Sequence, residues 1–114
     1  MTESLINKHC PPCEKKTPPL KDEAVKTLSV ELKRPWQVVA GAHGLKKLSY
    51  EFTFPTFLAA VDFVNKIAPV AEAEGHHPDL YIFYNRVRVE LYTHSIGGLS
   101  ENDFILASKI EVLV

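Results

Sequence analysis

Between Leu45 and Glu74 the hydrophobic period changes once, and the change falls at Pro55. Before it, Leu48, Tyr50, Phe52 and Phe54 alternate with Lys47, Ser49, Glu51 and Thr53. That is the two-residue repeat of an antiparallel strand with one wet and one dry face. After it, the spacing is helical. Phe57, Ala60, Val61, Val64, Ile67 and Ala71 make one stripe, while Leu58, Phe63, Val70 and Ala73 spread around the cylinder. Pro55 suits a helix start and Gly75 a helix stop, and the internal Pro69 predicts a bend. The strand's dry face needs a cover, and a helix this apolar needs covering on two sides. In a domain this small, the second cover is expected from another subunit.

The remaining elements follow from the same reading. Leu20–Leu32 reads as a short amphipathic helix ended by Pro35, Trp36–Ala40 as a strand, and Gly41 to Gly44 as a turn. "DLYIFY" and "VRVELYTH" flank Asn85-Arg86, which predicts a hairpin with a two-residue turn. Cross-strand positions then sum to 171, placing Tyr84 opposite Val87, Ile82 opposite Val89 and Leu80 opposite Leu91 on the core face. Extended past Pro78, where pairing frays, the same register sets His77 against His94. Ser100 is a good N-cap with Asp103 three residues later, and Phe104, Ala107, Ile110 and Leu113 supply a last helical stripe. The order α-β-β-α-β-β-α predicts an α+β fold: a four-stranded antiparallel sheet with three helices packed on one face. Residues 1–19, with four of the eight prolines, read as an irregular N-terminal leader, and residues 20–114 as a single domain.

Composition narrows the function classes. The chain has 114 residues, 46% hydrophobic and 24% charged, with a formal net charge of −1, as in a compact water-soluble domain. There is no long basic block to attract nucleic acid or an anionic membrane, and no apolar run of transmembrane length. A cytoplasmic location is expected. The two cysteines, Cys10 and Cys13, form a C-x-x-C followed by a Pro- and Lys-rich stretch instead of the helix that a redox motif requires. They read as part of a mobile tail without essential chemistry, ahead of a labile disulfide or an adventitious metal site. His9 and His43 fit tail and turn positions.

Three histidines remain: His76, His77 and His94, brought together by the hairpin register. A metal site made from them and Glu72 is the weaker reading, because adjacent side chains on an extended segment diverge and do not chelate one ion. Proton transfer is the stronger one, since imidazole offers both protonation states near neutrality. Among their neighbours, Glu72 has a plain reading as a solvated helix-end residue, Asp103 as a helix-capping one, and Tyr84 as packing.

The arrangement Glu72-x3-His76-His77-Pro78, then five residues to Tyr84, nine more to His94 and eight more to Asp103 resembles the signature of the pterin-4a-carbinolamine dehydratases. "YNRVRVELYTH" and "GLSENDFILASKIE" are similar to that family as well, and the resemblance spans roughly residues 20–112. It implies a hydro-lyase that dehydrates 4a-hydroxytetrahydropterin to quinonoid dihydropterin, recycling the pterin cofactor of an aromatic amino-acid hydroxylase. Pterin is then the substrate, and no metal or redox cofactor is required. Carried over by position, His76, His77 and His94 are catalytic candidates. His76 and His94 approach the pterin from different sides as acid and base, in an order left open, and His77 supports binding. Glu72 is a hydrogen-bond acceptor for an imidazole, and Asp103 either orients His94 or binds the substrate's ring. The resemblance also implies a homodimer or homotetramer. The alternative is a non-enzymatic role as a dimerisation cofactor for a transcription factor.

Overall fold

The protein is described by a computed structural model covering residues 4–10 and 18–114. Its sheet is built from β1 (Gln37–Ala40), β2 (Lys46–Thr53), β3 (Asp79–Phe83) and β4 (Arg86–Leu91), in the spatial order β1-β2-β4-β3, every pair antiparallel. The helices are α1 (Asp22–Ser29), α2 (Phe57–Glu74) and α3 (Glu101–Glu111). The chain order is therefore α-β-β-α-β-β-α, as the periodicity predicts. Leu48 and Phe52 of β2 and Val87, Val89 and Leu91 of β4 form the dry face of the sheet. Against it, α2 buries Ala60, Phe63, Ile67 and Ala71, a stripe at helical spacing, and runs unbroken through Pro69. Phe63 stacks at an angle on Phe52 and Phe54, with centroids 4.8 and 5.0 Å away.

The hairpin differs from expectation by one step. Its two-residue turn is Tyr84-Asn85, not Asn85-Arg86, and partners sum to 169: Leu80 faces Val89, Ile82 faces Val87 and Tyr81 faces Arg88. The cause is tertiary. Asn85 is held by the end of β2, its side chain donating to the Phe54 carbonyl at 2.9 Å and its own carbonyl accepting the Phe54 amide at 2.8 Å. A shift of two in the sum leaves every side chain on its expected face, because the strand repeat is two. It does move Tyr84 from the core to the tip, where it is 72% exposed with φ at +54°. It also removes the predicted pairing of His77 with His94, since β3 begins at Asp79 and His94 lies in a 3₁₀ turn, His94–Ile96. Positive φ costs a side chain with a Cβ about 1 kcal/mol, and asparagine tolerates it better than tyrosine does. Tyr84→Asn is therefore expected to raise stability by about 0.5 kcal/mol in chemical denaturation.

The leader contributes to the core. Leu5, in a 3₁₀ turn at Leu5–Asn7, is 2% exposed and packs on α3, and Lys109 donates to the Ile6 carbonyl at 2.9 Å. Residues 4–10 are thus not the mobile tail expected of them; Cys13 lies outside the described residues. This extra cover explains why α3 is buried nearly all round, from Asn102 to Ser108 and again at Ile110 and Glu111. The segment after α1 is tied to α3 as well: the amides of Lys33 and Arg34 and the Trp36 indole all donate to the Glu111 carboxylate, at 2.8–3.0 Å. By contrast α2 leaves Phe57 and Leu58 to solvent, 49% and 73% exposed. Among the described residues, no helix is long and apolar enough to cross a membrane.

Candidate functional site

The site begins at the end of α2. Gly75 takes φ +63°, its amide donates to the Glu72 carbonyl, and the His76 amide reaches back to the Ala71 carbonyl, both at 3.2 Å. This pair of bonds is a Schellman motif, and it fixes the backbone of His76 as part of the helix end. A Cβ at Gly75 meets nothing within 4 Å, so the cost of Gly75→Ala is conformational alone. That cost is about 1 kcal/mol, read by denaturation. A fall in turnover is expected with it, because His76 moves with the turn.

The ring of His76 is held from α3. Its Nε2 lies 2.6 Å from Oδ1 of Asp103, whose side chain is fully buried. The other oxygen of Asp103 accepts the Ser100 amide at 2.9 Å and the Thr93 hydroxyl at 3.0 Å. Ser100 and Asp103 close a capping box at the start of α3, and Ser100 and Thr93 share a 2.6 Å hydroxyl contact. One carboxylate thus does two jobs, capping a helix with one oxygen and orienting an imidazole with the other. Because Asp103 accepts, Nε2 of His76 carries the hydrogen it donates, and Nδ1 of the neutral ring is left as its basic nitrogen.

His77 sits one residue further along, with Nε2 2.6 Å from Oε1 of Glu72. Both partners are mostly in solvent, at 60% and 76% side-chain exposure, so the contact orients more than it stabilises. His94 enters from the turn after β4, its ring meeting Tyr92 edge-on with centroids 6.2 Å apart. His76, His77 and His94, with Tyr92, line one cleft of about 530 Å³. The three imidazoles converge, but by the α2 cap and the turn after β4 instead of by strand register. Asp103 orients His76, not His94, and Glu72 meets the imidazole of His77. Among the described residues, no group of three or more His, Cys, Asp or Glu side chains is placed to hold a metal ion.

Two cleft residues stand where the sequence reading places no function: Glu74, which it does not single out, and Cys10, which it assigns to a mobile tail. Glu74, with a side chain only 6% exposed, accepts the Cys10 amide at 2.7 Å through one oxygen and meets His9 Nδ1 at 2.8 Å through the other. Burial opposes its charge, but the Cys10 amide, His9 and Lys109 outweigh burial and hold its carboxyl below the usual range. Cys10 also lines the cleft, and its thiol is pushed up to about 12, by burial first and then by the charges of Glu74 and Asp103. For Glu74 the only sequence signal is position, directly before the glycine that ends α2; for Cys10 it is the C-x-x-C, which points to other chemistry.

Comparison with known proteins identifies the family. Residues 18–113 match the family described as pterin 4 alpha carbinolamine dehydratase. A Rickettsia canadensis protein assigned by name to the pterin-4-alpha-carbinolamine dehydratases is 50% identical, over 94% of each chain. One from Nitrosomonas eutropha, assigned by the same name, is 42% identical over 96% of this chain and 93% of its own. Among solved structures, the transcriptional coactivator/pterin dehydratase from Brucella melitensis superposes with a TM-score of 0.74 at 33% identity, covering 83% of this chain and 97% of that one. A pterin dehydratase-like RuBisCO assembly factor of the alpha-carboxysome, at 18% identity and TM-score 0.59 over 71% of this chain and 90% of its own, shares the fold. By sequence and fold, this chain belongs to the pterin carbinolamine dehydratase family.

Proposed function

We propose that the cleft dehydrates 4a-hydroxytetrahydropterin to quinonoid dihydropterin and water, with His76 as base and His94 as acid. The observation that carries this reading is the buried Asp103–His76 pair at the wall of a cleft that His94 also lines. The C4a–O bond breaks as its hydroxyl takes a proton and leaves as water. A pterin ring nitrogen gives up a proton, and the electron pair of that N–H completes the new double bond. His76, whose Nε2 is occupied by Asp103, accepts that proton at Nδ1. His94, in an exposed turn, delivers the other and re-equilibrates with solvent. His77 and Glu72 orient the substrate. The substrate already holds the carbinolamine, so the reaction as written needs neither metal nor redox cofactor. Its place is the recycling of a hydroxylase's pterin in the cytoplasm.

Titration of the protein, selectively labelled at histidine, with stable 7,8-dihydrobiopterin tests the assignment. The ring signals of His76, His77 and His94 are expected to shift together. Saturating pterin that leaves those three unmoved sinks the proposal.

We also propose a homodimer or homotetramer. The exposed Phe57 and Leu58 on α2 and the open edge of β3, with Ile82 40% exposed, are the surfaces a second copy would cover. A monomer by light scattering at micromolar concentration contradicts it. A transcription-factor cofactor role is the second reading, favoured by the similarity to the Brucella melitensis transcriptional coactivator/pterin dehydratase, and it is compatible with catalysis.

A further inference from the structure

The leader and the catalytic turn meet at a single side chain. Glu74 is the last residue of α2 and stands two positions before His76. Its backbone leads into the turn that fixes His76, while its side chain reaches away to hold Cys10 and His9. The leader is also secured ahead of this point. Leu5 is buried, the Ile6 carbonyl accepts from Lys109, and Lys8 pairs with Glu101 at 2.7 Å. Lys109 also lies 3.7 Å from Glu74, so the carboxylate is held from α3 as well. The Cys10 thiol, in turn, points to the Asn102 carbonyl at 3.6 Å, next to the buried Asp103. Of this strap it is Cys10 that reaches the cleft, lining it together with His76, His77 and His94.

We propose that Glu74 is a positioning residue of the cleft, clasping His9 and Cys10 so that Cys10 forms a fixed wall against which the bound pterin ring packs, and that the leader thereby sets substrate affinity. This inference rests on the pterin reading above. Chemistry at the wall suits a flat heteroaromatic ring. The Cys10 thiol is held in its neutral form, and a neutral, polarizable sulfur packs well on an aromatic face. Carboxylate-to-amide hydrogen bonds are among the stronger ones, which explains how one side chain can hold a strap in place. Neither Cys10 nor Glu74 takes a proton in the reaction; their effect is on the occupancy of the cleft.

The test is a split of KM from kcat in dehydration assays on the full chain, alongside thermal melts. Glu74→Ala releases the strap, and its KM is expected to rise about tenfold through loss of a charge-assisted hydrogen bond, with kcat within about twofold. Glu74→Gln keeps an oxygen for the Cys10 amide and is expected to restore KM to within about threefold of wild type. Cys10→Ala leaves the clasp intact but removes the sulfur, raising KM about threefold. If Glu74→Ala does not fold, Glu74→Asp replaces it, its carboxylate being one methylene too short to reach the amide. The proposal stands only if the clasp variant and Cys10→Ala both raise KM. A wild-type KM in either folded variant overturns it, even if melting temperature falls. Wild-type protein that does not exceed the spontaneous rate would instead defeat the dehydratase reading itself, so the two failures are distinguishable.

Discussion

His76→Ala is expected to lower kcat/KM for 4a-hydroxytetrahydropterin by about 10²–10⁴-fold, the usual worth of a positioned acid–base group. The fold should survive, because the ring is not part of the hydrophobic core and its removal opens space that is continuous with the cleft. Water can then reach Oδ1 of Asp103, which limits the cost to about 1–2 kcal/mol. Steady-state kinetics with freshly generated substrate, corrected for spontaneous dehydration, gives the ratio. A His76→Ala enzyme within threefold of wild type would place the base elsewhere.

Asp103→Ala should do more damage, and of two kinds. The side chain accepts the Ser100 amide, the Thr93 hydroxyl and the His76 ring, and all of it is buried. Removing it takes the acceptor from the buried Ser100 amide, leaves the Thr93 hydroxyl only its Ser100 contact and dissolves the capping box, at a combined cost of about 2–5 kcal/mol. The same change frees the His76 ring to rotate, so activity should fall nearly as far as in His76→Ala. Asp103→Asn separates the effects. An amide has one oxygen, so it can keep the cap or accept from His76, but not both. Most of the stability should return, while turnover stays at least about tenfold below wild type. Urea denaturation and kinetics on the same preparations check both halves. Full activity in Asp103→Asn would show that the His76 contact has no part in turnover.

Much of this arrangement was legible in the sequence, and the exceptions share a cause. The alternation of Leu48, Tyr50, Phe52 and Phe54 and the stripe of Ala60, Ile67 and Ala71 are local patterns, and the sheet and α2 follow them. Ser100 with Asp103 is a local signal too, and the capping box forms. The turn was misplaced because tyrosine at positive φ runs against local preference, while Asn85 is claimed by Phe54, 31 residues away in sequence. The leader was read as unattached because its anchor, Leu5, is one apolar residue among polar ones and has no period to detect. Glu74 looked like any acidic residue at a helix end. Its partners, His9 and Cys10, lie 65 and 64 positions earlier. In the sequence, cap and catalytic support are rival readings of Asp103. A carboxylate has two oxygens, and the fold uses one for each.

The central claim is that the histidine cleft carries out dehydration by proton transfer. Stopped-flow observation of freshly generated 4a-hydroxytetrahydropterin tests it most directly, comparing wild type with the His76→Ala, His94→Ala double variant at equal concentration. The account expects wild type to accelerate loss of the intermediate well above the spontaneous rate, and the folded double variant to fall back to that baseline. Equal rates for wild type and double variant, whether both at the baseline or both well above it, would contradict it.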